Sequence, residues 1–176
     1  MGAVLEVPII QGVSLFSTYT PASIIKRFIA YLIDLLIFYF AFFTPFLSIY
    51  AFLSNLPISS ELNVLKNYIL NSPEAYLKLL VAYFGGLFLL LAYFTFFEAL
   101  LNSTLGKKLL NLKVVSDKSK ISFVSAIIRN LSKSVLFFIL PYDTLLAIFN
   151  PSKKRFFDFL AGTKVVNISS VYKIEE

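Results

Sequence analysis

Residues 77–101 read LKLLVAYFGGLFLLLAYFTFFEALL, an apolar run longer than a bilayer's hydrocarbon core demands of a helix. About 20 predominantly apolar residues suffice for one crossing. The rest of the chain has the same character: of 176 residues, 58% are apolar, 17% aromatic and 15% charged. Soluble domains are about half apolar and about a quarter charged, so the composition points to a membrane-embedded chain.

Toward the N-terminus, a second apolar run extends from about Ile24 to Leu53. Lys26 and Arg27 mark its start, and Pro45 is expected to bend it near the far side. Residues 54–76 between the two runs form a polar connection with room for one short helix, and residues 1–23, with Pro8, Gly12 and Pro21, read as a loosely ordered or surface-lying lead-in. The first 25 residues lack the basic start of a signal peptide, so none is expected. Gly85-Gly86 in the second run would let another helix approach closely.

Beyond the second run, residues 102–123 are basic, with Lys107, Lys108, Lys113, Lys118 and Lys120, and Arg129 and Lys133 follow. The connection before it holds Lys66 against Glu61 and Glu74. An excess of Lys and Arg in short loops marks the cytoplasmic side. The N-terminus, residues 102–123 and the C-terminal tail are therefore expected inside, and residues 54–76 outside. Within the basic segment LNLKVV has the character of a short strand and SDKSK that of a turn. Lys113-Val114-Val115-Ser116 is echoed by Lys164-Val165-Val166-Asn167, which suggests a cytoplasmic strand pair. The last apolar stretch, SVLFFILPYDTLLAIF at 134–149, carries Pro141 and Asp143 at its middle. One crossing there would export Lys153-Lys154-Arg155, and two crossings do not fit. The readings are a re-entrant hairpin broken at Pro141, or a third span beginning nearer Ile121.

The expected fold is thus an all-α membrane protein: two transmembrane helices, a third Pro-broken apolar segment, and a short cytoplasmic β-pair. A lead-in at 1–23, one membrane domain at 24–168 and a tail at 169–176 organise the chain.

Polar chemistry is sparse. Without cysteine or histidine there is no disulfide, thiolate nucleophile, imidazole base or Cys/His zinc site. No GxSxG, GxxxxGK[ST] or HExxH motif occurs, so neither an enzyme nor a cofactor is expected. The net charge of +6 is concentrated on one side, which fits anionic lipid headgroups better than nucleic acid. The sequons at Asn102, Asn130 and Asn167 fall in segments assigned to the cytoplasm, so no glycosylation is read.

Asp34 lies inside the first span, in RFIAYLIDLL at 27–36. Seven helical positions separate it from Arg27, which places both on one face about 10 Å apart, too far for a direct pair. Arg27 would snorkel to the interface. Asp34 then needs protein, water or a proton, because a buried charge at span depth costs at least about 2.5–3.5 kcal/mol. It is either a proton or cation site, or a tie between spans through Tyr31, Tyr93 or the backbone at Pro141. Glu98 lies at about the level of Arg27 and could pair with it. Asp158, with Arg155, Phe156 and Phe157, could open an interfacial helix ending at Ala161-Gly162-Thr163.

Taken together, Arg27 and Asp34, TLGKKLLNLKVV after the second span, IIRNL at 127–131 and RFFDFLAGTKVV near the end resemble the RDD family. These are small prokaryotic membrane proteins named for one arginine and two aspartates. The resemblance covers about residues 20–168 and is most specific at TLGK (104–107) and DFLAGTKVV (158–166). By position the arginine is Arg27, and the aspartates are Asp34 and Asp158. The family pattern often places an acid a few residues beyond the arginine of IIRNL, where this chain reads SKSVLFF. The resemblance implies a part in transport in the cell membrane, with cation/proton antiport suggested for some members. Arg27, Asp34, Glu98, Asp143 and Asp158 are then the ion-handling candidates. Two or three spans cannot enclose a polar path, so a transporting form would be a homo-oligomer. The alternative is a non-transporting scaffold or accessory subunit whose buried charges fix its packing.

Overall fold

A computed structural model describes residues 5–6, 13–55, 62–117 and 121–174. Parts of the lead-in, of the 54–76 connection, of the SDKSK turn and of the tail lie outside them.

The first apolar run is one continuous helical rod with a change of winding inside it. It comprises α1 (Ile24–Phe38), a π-helical turn (Tyr39–Phe43) and α2 (Thr44–Ser54). Pro45 explains the turn: a proline lacks an N–H and collides with the carbonyl four residues back. Winding the preceding turn wider relieves that collision. Thr44 helps by donating both its backbone N–H and its hydroxyl, the latter at 2.8 Å, to the Tyr39 carbonyl. Asn55, in the left-handed conformation, stops α2.

After the short α3 (Leu62–Asn71), α4 (Ala75–Leu101) forms the second rod and ends at left-handed Asn102. Both rods are long and apolar enough to cross a membrane. Phe28, Leu36, Phe40, Phe52, Leu77, Phe84 and Phe88 face outward, as suits lipid rather than water. The rods pack through Phe38, Leu90, Tyr93 and Phe94, with Tyr31, Leu35, Phe43 and Phe97 around them. Gly85 and Gly86 do admit a neighbouring helix, but it belongs to the same chain. A Cβ on either would come within 2.8 Å of Phe46 or Phe43. The pair is therefore already occupied by aromatic rings of the same chain.

At one end of the rods sits a cap made of small pieces. These are α5 (Leu105–Leu109), β3 (Leu112–Ser116), α6 (Phe123–Asn130), two 3-10 turns (Leu131–Lys133 and Phe137–Ile139), α7 (Leu140–Phe149), α8 (Phe156–Leu160) and β4 (Thr163–Ile174). Pro141 does not break the apolar stretch. It stands in the first turn of α7, where a missing N–H costs nothing. The break comes earlier, in the 3-10 turns. At ten residues α7 is about 15 Å long, half of a bilayer core.

The fold is mostly helical but not all-α. The expected strand pair exists, with Val114 opposite Val165 and Val115 opposite Lys164. It is half of a larger antiparallel sheet of order β1-β2-β4-β3. The lead-in supplies the rest, as the two-residue β1 (Leu5–Glu6) and the nine-residue β2 (Val13–Pro21). VSLFSTYT is rich in strand-favouring residues (Val13, Phe16, Thr18, Tyr19, Thr20), a signal that the prolines and glycine around it obscured.

The β2–β4 register sets Thr18 opposite Ser169. Directly opposed antiparallel residues have Cα atoms about 4.5–5.5 Å apart, within disulfide range. Replacing both by cysteine in this cysteine-free chain should give a disulfide within the monomer on mild oxidation, seen as a reductant-sensitive mobility shift. Thr18→Cys with Lys164→Cys, out of register, should not.

Candidate functional site

Where the cap meets the rods, nine ionisable side chains gather, all buried except the partly buried Arg27. They are Arg27, Asp34, Glu98, Lys107, Arg129, Lys133, Asp143, Arg155 and Asp158. Two connected sub-sites organise them.

The first is the seat of Asp34. Its carboxylate accepts from the Tyr93 hydroxyl at 3.0 Å, the Thr104 hydroxyl at 2.5 Å and the Gly106 backbone N–H at 2.7 Å. The TLGK motif is built for this contact. Thr104 caps α5 by accepting from the Lys107 N–H while donating to Asp34. Gly106 lies so close to α1 that a Cβ would strike the Ala30 carbonyl and come within 3.0 Å of Asp34. Of the partners expected for Asp34, Tyr93 is one. Tyr31 instead donates to the Lys133 carbonyl at 3.0 Å, and Pro141 plays no part.

The second sub-site centres on Arg129, the arginine of IIRNL. Its Nε lies 3.2 Å from an oxygen of Glu98 and 3.2 Å from one of Asp158, and the side chain is completely buried. Glu98 also takes Lys107, Lys133 at 3.0 Å and the Asn130 amide at 3.1 Å. Asp158 accepts from the Arg155 backbone and guanidinium at 3.2–3.3 Å, and Arg27 stands 3.6 Å away. Asp143 receives the Phe157 N–H at 3.1 Å and the Ser132 hydroxyl at 2.7 Å, with Arg155 at 3.5 Å.

Arg27 therefore neither snorkels nor pairs with Glu98. Its guanidinium turns inward and donates to the carbonyls of Lys153 at 2.6 Å and Val165 at 3.1 Å, stapling the start of α1 to the cap. The structure brings Arg27 and Asp158 together and leaves Asp34 in its separate seat.

Electrostatics in the cap follow from this crowding. Burial alone would raise the Asp158 carboxyl, but Arg155 foremost, then Arg129, hold it well below the usual carboxylate range. Burial lowers the ammonium groups of Lys107 and Lys133, with Glu98 opposing it in each case. One carboxylate shared among three cations cannot compensate them all. Among the described residues no group of acids with metal-binding spacing occurs.

Lys107, Arg129, Lys133 and Arg155 read in the sequence as topology-setting surface charges, yet all are buried participants. Lys107, Arg129 and Arg155 stand inside TLGK, IIRNL and RFFDFL, which was the available signal; Lys133 lies in none of them. A pair of apolar helices long enough to cross a membrane, with an ionically fastened cap, is the class that this arrangement defines. A family model described as the RDD family matches residues 21–162, and the chain belongs to that family. No curated protein and no solved structure matches it.

Gly106→Ala should destabilise the protein by about 1–3 kcal/mol or more, because the clash is with backbone that cannot yield. Lys108→Ala, at an exposed neighbour, should change the melting temperature in detergent little. Asp158 supplies a pH test. Its folded pKa lies below the unfolded value near 3.9, so its stabilisation is present above about pH 4 and fades as pH falls below that. Asp158→Asn should lower stability at pH 7 and flatten its fall below pH 4.

Proposed function

We propose that this protein is a non-enzymatic membrane scaffold or accessory subunit, with its buried charges fastening a cap onto a two-helix hairpin. One observation carries the reading. The Asp34 carboxylate, 1% exposed, is saturated by three donors from α4 and the α5 segment, which suits a tie better than an exchangeable proton or cation site. Each remaining acid is likewise committed to cations or backbone N–H groups. The lysine distribution supports placing the cap, and with it the N- and C-terminal strands, on the cytoplasmic face of the cell membrane. In that placement α7 lies at the interface and does not cross, and surface lysines meet anionic headgroups.

A second reading, transport of a small solute, draws support from a cavity beside Asp34 and would require at least a dimer to complete a path. The two diverge at Asp34→Asn. As a tie, the substitution puts an amide N–H₂ in place of one carboxylate oxygen; the Gly106 N–H can only donate, so the N–H₂ falls opposite Thr104, whose hydroxyl must turn from donor to acceptor. It should cost at least one bond to a charged acceptor, about 1.5–3 kcal/mol, and lower the melting temperature. The wild-type protein in vesicles should pass neither protons nor alkali cations. Proton-linked flux that Asp34→Asn abolishes without loss of stability would overturn the scaffold reading.

A further inference from the structure

The cap and rods leave a cavity of about 80 Å³ between α1 and α7. Arg27, Lys107, Arg129, Lys133 and Arg155 line it, with Asp34 as the single acid. The geometry points to a binding site in this cavity for one phosphate-class oxyanion, whether free phosphate or the phosphate of a lipid headgroup.

Charge is the first argument. Across the whole cluster five cations face four carboxylates, and all three donors to Asp34 already draw on its negative charge. The cluster beside the cavity therefore holds one more cationic side chain than acids in a region of low dielectric, where such an excess is costly unless an anion answers it.

Arg129 is the second and independent argument. The side chain is fully buried, yet Nη1 and Nη2 have no hydrogen-bond partner among the described residues. Nε makes its two ionic approaches without the alignment of a hydrogen bond. Buried guanidinium donors left unpaired are expensive, and the planar fork is suited to two parallel bonds to one oxyanion. By contrast, Arg27 and Arg155 spend their terminal nitrogens on carbonyls and carboxylates.

Size sets the class. One water needs roughly 10–15 Å³ on the same measure, so the cavity has room for a tetrahedral oxyanion. Its lining also includes Ile24, Phe28 and Leu140, apolar residues against which acyl chains could lie if the phosphate belongs to a lipid. Phe28 is 59% exposed. The site goes beyond the scaffold reading and holds whether or not a solute moves.

The chain has no tryptophan, so Phe28→Trp would place one fluorophore beside the cavity without touching the ionic cluster. That protein would be reconstituted in phosphatidylcholine nanodiscs and titrated with inorganic phosphate, against chloride at equal ionic strength. A free-anion site should give a saturable change with phosphate alone. A headgroup site should instead respond saturably to phosphatidylglycerol added to the nanodiscs, and free phosphate should then have no effect. Arg129→Lys in the same background keeps the charge but loses the fork, and should weaken whichever response occurs at least tenfold. No saturable response to either probe would overturn the proposal. So would an unchanged affinity in a folded Arg129→Lys protein.

Discussion

The placement of Arg129 between Glu98 and Asp158 is the constraint on which the cap depends. A buried charge is tolerated only when opposite charge surrounds it, and removing one partner of a buried pair typically costs about 3–5 kcal/mol. Arg129 reaches one acid on a membrane rod and one in the cap, so α4, α6 and α8 hold each other in place through a single side chain. The surrounding pieces need that help. Helices of five residues, such as α5 and α8, are far below the length at which a helix persists alone in water. Their apolar contacts are modest: one buried cluster joins Ala22, Ala30, Leu112 and Val165, and another joins Val114, Ile121 and Ala126. Charge compensation does here what an apolar core does in a soluble domain.

The two rods were legible in the sequence because apolar length is a signal that survives without context. Their bounds fell within about two residues of those seen. The β3–β4 pairing was legible from the KVV echo. The strand β2 was not, because its partner β4 lies some 150 residues away and Leu15-Phe16 and Ser17-Thr18 break the alternation that marks a strand. The site was half legible. Asp34, Glu98 and Asp158 stood out as acids in apolar surroundings. Their partners did not, since a lysine such as Lys107 beside an exposed Lys108 looks like any loop charge. Only the folded chain shows which of two adjacent lysines turns inward.

Arg27, Asp34 and Asp158, the residues that the sequence resemblance set against the family's arginine and two aspartates, fall into two separate tasks in the structure. Arg27 with Asp158 closes the cap onto the start of α1. Asp34, two turns further along, seats the segment that leaves the second rod. Both tasks join the first rod to chain that follows the second. This explains why charged residues sit at positions where an apolar one would insert into lipid more readily.

The π turn at Tyr39–Phe43 has a consequence for how the first rod meets the second. Successive residues of an α-helix are offset by about 100° around its axis, so one residue accommodated in a wider turn leaves the two halves out of phase. Below the turn, α1 directs Asp34 and Phe38 at the upper part of α4 and the cap. Above it, the rod must present Phe46 to Gly85, and within it Phe43 to Gly86. In an uninterrupted helix the 3-4 spacing from Phe38 would bring Phe42 and Pro45, not Phe43 and Phe46, to the face that meets the glycines. The wider winding acts as an angular correction, keeping one polar and one aromatic contact surface on the same side of a single rod.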